Sequence, residues 1–150
     1  MLRIAAVVSR SELDQSRVID CVLLDATDRH RRRVVLVGEE GATYLLNLPE
    51  PRHLHEGDGL VLEDGNIVRV AAKAEPLTEI AAPDAPSLAR LAWHIGNRHT
   101  DVQIIGDRLR IRRDHVLEEM LRGLGATLAS LEAPFEPEPG AYAHHGHVRE

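Results

Sequence analysis

"SLARLAWHIGNRHTDVQIIGDRLRIRRDHVLEEMLRGLGATLASLEA" occupies residues 87–133, and its changes of period decide the fold. Ser87 is an N-cap type after Pro86, and Leu88, Leu91, Ala92 and Ile95 form one apolar stripe. That spacing predicts a helix. Gly96 offers its C-cap, and Asn97 also tolerates a left-handed backbone. Residues 102–106 and 108–113 read as strands joined at Gly106-Asp107. Asp114 opens a second helix that should bury Val116, Leu117, Met120, Leu121 and Leu124 and close at Gly125. Residues 127–133 read as a last strand.

Working outward, "KAEPLTEIAAPDAPS" (73–87) carries three prolines and reads as a linker with a short strand at 77–81. Adding that strand gives the order strand, helix, strand, strand, helix, strand. This is the ferredoxin-like βαββαβ arrangement. The half before it alternates with period two instead. Segments 3–8, 18–24, 33–38, 43–48, 59–63 and 67–72 are short and rich in β-branched residues, with glycine, proline and asparagine turns between them. Asp64-Gly65 joins two of them as a hairpin turn, both residues tolerating φ > 0. The expected class is α+β. A small all-β domain (1–74) is followed by a linker and first strand (75–87). A ferredoxin-like domain (88–140) and a short flexible histidine tail (141–150) complete the chain.

Composition narrows the function. The 150 residues are 43% hydrophobic and 28% charged, with a formal net charge of −6. An acidic balance argues against nucleic acid as a partner, because phosphate binding needs a dominant basic surface. Two arginine runs stand against it, 29–33 and 108–113. Both read as solvated surface, the second as the outer face of a half-buried strand that discourages edge pairing. A single cysteine, Cys21, allows no disulfide within the chain and suits a reducing compartment. The N-terminal apolar run is too short for a signal peptide, and no segment is long enough to span a membrane. A soluble cytoplasmic protein is expected.

Chemistry must come from histidines, since phosphate-binding glycine loops and nucleophile elbows are missing from the sequence. His115, Glu118 and Glu119 spell H-x-x-E-E, one ligand short of a zinc-hydrolase helix. They read as helix surface, with the two glutamates in solvent and Glu118 paired to Arg122. His53 and His55 have H-x-H spacing, so on an extended segment both point one way. A polar loop or a surface metal site are the two readings. His94 reads as a semi-core helical residue. His99 follows the helix end, where the partial negative charge of the helix C-terminus favours a cation. The end, "GAYAHHGHVRE", packs His144, His145 and His147 into four residues, a pattern suited to zinc, copper or nickel. An affinity-tag remnant would be a longer, pure histidine run. With one remote cysteine, a closed structural zinc site is not expected. An open site of few ligands, part fixed and part mobile, remains.

"HIGNRHTDVQI", "DHVLEEMLRGLGA", "APFEPEPGAY" and the "HHGH" end together resemble the urease accessory protein UreE family of nickel metallochaperones. The likeness runs from about residue 88 to the C-terminus. The first half, with "GDGLVLEDGNIVRVAAKAE", is similar in pattern. The resemblance implies an N-terminal protein-contact domain and a homodimer formed by the second domain. It implies that His99 meets its symmetry mate to hold one Ni2+, and that tail histidines, His145 or His147, complete the coordination. Zn2+ or Cu2+ can occupy the same ligands. The implied partners are the urease-activating GTPase and the apo-urease accessory complex. Family tails are often long and histidine-rich, and this one has three histidines, which favours carrying one or two ions over storage. Two readings compete with a non-catalytic carrier: a metal-dependent hydrolase, which needs a carboxylate base near the ion, and a protein-binding adaptor with incidental histidines.

Overall fold

The computed structural model describes residues 1–140, and these divide into two compact units, residues 1–73 and 74–140. The first holds β1 (Leu2–Val8), β2 (Val18–Leu24), β3 (Arg33–Val37), β4 (Thr43–Asn47), β5 (Gly59–Leu62) and β6 (Ile67–Ala72). They form a curled six-stranded sheet in the order β2-β6-β5-β1-β4-β3. The pairing is mixed: β1 lies parallel to β4 and β2 parallel to β6, while β5 pairs antiparallel with both β1 and β6. Alternation along the strands sends Val22, Leu24, Leu36, Tyr44, Leu46, Leu60, Leu62, Val68 and Val70 into one core. In the β5–β6 turn Gly65 alone takes a left-handed backbone (φ 89°), so Asp64 does not share the positive φ expected of it.

Two polar groups brace this core. The Tyr44 hydroxyl donates to Asp20 at 2.5 Å. Burial, then that carboxylate, push the Tyr44 phenol up to about 12. Arg29 is fully buried. Its Nε donates to the Leu24 carbonyl at 3.2 Å and its Nη1 to the Leu54 carbonyl at 3.4 Å. The run 29–33 is therefore not wholly solvated surface. Its first arginine supplies donors to two backbone carbonyls, that of Leu54 and that of Leu24, which also accepts the Lys73 N–H at 2.7 Å.

The second unit contains β7 (Ala74–Ala81), α1 (Ala85–Asn97), β8 (Gln103–Ile105), β9 (Arg108–Arg112), α2 (His115–Gly123) and β10 (Thr127–Pro134). The sheet order β10-β7-β9-β8, all antiparallel, is that of a ferredoxin-like fold. Leu91, Ile95, Leu117 and Leu121 from the helices meet Ile80, Leu109 and Ile111 from the sheet.

Several local expectations are corrected. Asp84, not Ser87, caps α1: its carboxylate accepts the Ser87 N–H at 2.8 Å. Pro86 falls in the first turn, where its missing N–H has no helical partner to lose, so the helix starts before it. β9 is a central strand, not an exposed edge. Its arginines are cross-strand partners of β7, with Arg110 on Glu79 at 3.0 Å and Arg112 on Glu75 at 3.4 Å. In α2 the buried stripe is Leu117, Glu118 and Leu121, leaving Val116 (70%) and Leu124 (45%) exposed. Glu118 is thus core and not solvent-facing. It accepts from Thr78 Oγ1 at 2.8 Å and from the Asp114 N–H at 3.1 Å. Burial opposes its charge. The Thr78 hydroxyl, the Asp114 amide and Arg113 outweigh that and hold its carboxyl below the usual range.

Candidate metal centre

Both helices of the second unit end in one hydrogen-bond pattern. After α2, the Gly125 N–H reaches the Arg122 carbonyl at 3.0 Å and the Ala126 N–H reaches that of Leu121 at 3.0 Å. After α1, the His99 N–H reaches the Gly96 carbonyl at 3.0 Å and the Thr100 N–H reaches that of Ile95 at 3.4 Å. This is the Schellman termination, which needs a left-handed residue just beyond the cap, usually glycine. Gly125 meets that need at φ 94°. At α1 the position is held by His99 at φ 58°, the one non-glycine residue with positive φ among those described. The expected C-cap at Gly96 is therefore displaced: the helix runs on to Asn97, Arg98 caps it, and the left-handed residue is the histidine itself.

A side chain in that conformation is strained, of order 1–3 kcal/mol, and persists where the surroundings fix it. His99 is exposed, so burial does not repay the strain. What the geometry provides is a fixed launch direction for an imidazole beside a helix C-terminus, where partial negative charge favours a cation.

The chain around His99 is braced. Asp101, two residues on, pairs with Arg112 at 3.0 Å. Arg112 also lies over the ring of Phe135, 4.8 Å from its centroid, and Phe135 is fully buried. From there the C-terminal segment runs beside β8. Gln103 Oε1 accepts the Glu136 N–H at 3.1 Å, and the Val102 carbonyl accepts the Glu138 N–H at 2.8 Å. The segment leading to the histidine-rich end is thus pinned three residues from His99. His144, His145 and His147 lie outside the described residues.

The remaining histidines occupy other places. His94 is half-buried, its ring edge-on to Trp93 at 5.0 Å, in a cleft also lined by Ser87, Arg90, Leu91 and Leu124. His115 is exposed at the start of α2. In the first unit His53 is half-buried and His55 exposed, their rings 4.7 Å apart. His30 joins them, 5.5 Å from His53. Sequence reading had no signal for His30, which lies 23 positions before His53 within an arginine run. Cys21 is buried, and burial pushes its thiol up, which disfavours the thiolate a metal would need. Glu118, the carboxylate that H-x-x-E-E spacing offers, is held by Thr78, Asp114 and Arg113, so it is not poised as a base beside His115.

The chain matches two family models, "UreE urease accessory protein, N-terminal domain" over residues 4–73 and its C-terminal domain over residues 75–150. Curated relatives named urease accessory protein UreE are similar throughout. The protein of Bradyrhizobium sp. (strain BTAi1) is 55% identical over 130 residues, 87% of this chain and 63% of its own. That of Rhodopseudomonas palustris (strain BisB18) is 57% identical over 124 residues, 83% of this chain and 59% of its own. That of Chelativorans sp. (strain BNC1) is 48% identical over 147 residues, 98% of this chain and 90% of its own. The chain therefore spans about three fifths of the length of the first two and most of the third. No described helix is long and apolar enough to cross a membrane.

Proposed function

This chain belongs to the UreE family of urease accessory proteins, an accessory and not an enzyme family, and on that premise we propose that it carries Ni2+ for assembly of the urease active site. In this reading it works in the cytoplasm as a homodimer, without catalysis of its own. Its partners are the urease-activating GTPase and the apo-urease accessory complex.

The observation that carries the reading is the histidine at a glycine position. His99 keeps a strained backbone while exposed, and orienting an imidazole is a use that explains it. One imidazole holds an ion poorly. A two-fold axis brings a residue near its own copy, so two His99 rings share one ion. Trp93, Val116, Leu124, Ile104 and Ile105 are exposed apolar residues of the same unit and support an interface there. Chain length supports the remaining ligands. From Glu138, pinned at Val102, six residues reach roughly 20 Å to His144 and nine reach roughly 30 Å to His147. Either His145 or His147 can therefore complete the coordination, with His144 as a further donor. Tethering gives such ligands a high effective concentration without fixing them, so a partner with a better site can take the ion. Zn2+ and Cu2+ fit the same imidazoles, and supply and partner choice select nickel.

The test is calorimetric titration of Ni2+ into the full chain, with the mass in solution measured alongside. One high-affinity ion per dimer is expected. His99→Ala should abolish that event with the dimer intact, because it removes two ligands from one ion. His94→Ala and His115→Ala should leave it in place. Wild-type affinity in His99→Ala, or loss only in His94→Ala, would remove His99 from the site and the two-fold mechanism with it.

A further inference from the structure

We propose that the β unit carries a metal site of its own, formed by His53 and His55 with His30 as third donor, for a borderline divalent ion such as Ni2+, Zn2+ or Cu2+. It does not use His99 and stands whether or not His99 binds metal.

The construction starts from Leu54. It is fully buried in the sheet core, so the residues on either side of it must face the other way. That sends both histidine rings to one side, with centroids 4.7 Å apart. The backbone that presents them is held by four hydrogen bonds. The Leu54 N–H donates to the Arg29 carbonyl at 2.7 Å, and Arg29 Nη1 returns a bond to the Leu54 carbonyl at 3.4 Å. One residue on, the His55 N–H donates to Asp58 Oδ2 at 2.9 Å, and the Asp58 N–H donates back to the His55 carbonyl at 3.1 Å.

The Arg29–Leu54 clasp also fixes His30. The short 3-10 turn Asp28–His30 is the element clasped, so His30 is delivered to the same patch, its ring edge-on to His53 at 5.5 Å. The buried arginine therefore does more than satisfy carbonyls. It joins two segments distant in sequence so that His30 comes beside His53, which in turn lies beside His55. Its side chain is fully buried and donates to the Leu24 and Leu54 carbonyls.

The distances suit a small ion. One ring nitrogen of His53 and one of His55 lie within 4.8 Å of each other. Two imidazole nitrogens bound at about 2.0–2.1 Å in a tetrahedral site stand roughly 3.3 Å apart. Turning the two rings closes that gap with the backbone in place. His30 supplies the third nitrogen by a change of rotamer at an exposed position. A three-imidazole set leaves a coordination position open, which makes it a site that loads and unloads and not a structural one. Imidazole donors with no thiolate select zinc, copper and nickel over magnesium or calcium.

The experiment uses the full chain carrying His99→Ala, His144→Ala, His145→Ala and His147→Ala, which removes every ligand of the carrier site proposed above. Titration with Ni2+ at pH 7.5 should still show one ion per chain. Adding His53→Ala or His55→Ala should weaken it at least tenfold, and His30→Ala less. Circular dichroism of each variant checks the fold. As a second readout in the unmodified protein, substoichiometric Ni2+ should broaden the imidazole NMR signals of His53 and His55 with those of His99. Absence of bound ion in the four-substitution chain, or binding that His53→Ala and His55→Ala leave unchanged, overturns the proposal. Failure of the carrier reading shows separately, as an undiminished dimer-stoichiometric event in the single His99→Ala variant.

Discussion

Replacing His99 by glycine should make the metal-free protein more stable while removing its principal ligand. The residue sits at φ 58°, in the left-handed position that Gly125 fills after the other helix. For an L-residue that conformation is disfavoured by roughly 1–2 kcal/mol. Glycine relieves the strain but loosens the unfolded chain, which returns about 0.4–1 kcal/mol. The net gain over wild type is then about 0.5–1 kcal/mol. The sharper comparison is His99→Gly against His99→Ala. Both delete the imidazole, and only glycine relieves the backbone. His99→Gly should exceed His99→Ala by about 1 kcal/mol, which in a unit of this size is roughly 4–8 °C in Tm. The assay is differential scanning calorimetry with chelator present, at one protein concentration because dimerisation would shift Tm. Equal stability of the glycine and alanine variants, or lower stability with glycine, would refute the claim that this position holds strain in favour of a ligand.

Glu118→Gln should lower stability at pH 7 by about 1.5–3 kcal/mol, the scale of hydrogen bonds to a buried charge. Because the folded carboxyl is held below its ordinary value of 4.5, its contribution is complete above pH 4.5 and is lost as pH falls through the lowered value. Urea melts from pH 7 to pH 3 should therefore fall less steeply below 4.5 in the variant, and parallel curves would dismiss the assignment. Arg29→Met should cost about 1–3 kcal/mol in the β unit, since it strands the Leu54 carbonyl in the core, while the Leu24 carbonyl keeps the Lys73 N–H. Denaturation of the variant within 0.5 kcal/mol of wild type would contradict that. Nickel binding should weaken as pH drops from about 7.5 to 5.5, because protons compete for imidazole lone pairs of reference pKa near 6.5. Full affinity at pH 5 would point to carboxylate ligands.

The sequence alone determined what depends on neighbours a few positions apart. Period-two alternation marked six strands of the first half, and the stripe Leu88, Leu91, Ala92 and Ile95 marked α1. Gly106-Asp107 marked a two-residue turn. The order of these elements already implied a ferredoxin-like sheet, because few topologies close that order without crossing connections. The histidine beyond α1 was visible as a residue, but its left-handed backbone was not. Glycine and asparagine three and two positions earlier were the better local candidates, and only packing of the whole helix decided where it ended. The tertiary structure alone decided every pairing between distant residues: β1 parallel to β4, β9 at the sheet centre, Glu118 turned inward onto Thr78, and Arg29 buried against Leu54. The reason is physical. A charged side chain carries the same local pattern whether it faces water or a buried partner. Besides local partners, each has one that lies 25 positions away for Arg29 and 40 for Glu118, beyond the reach of any periodicity. The meeting of His30 with His53 follows from that same buried arginine.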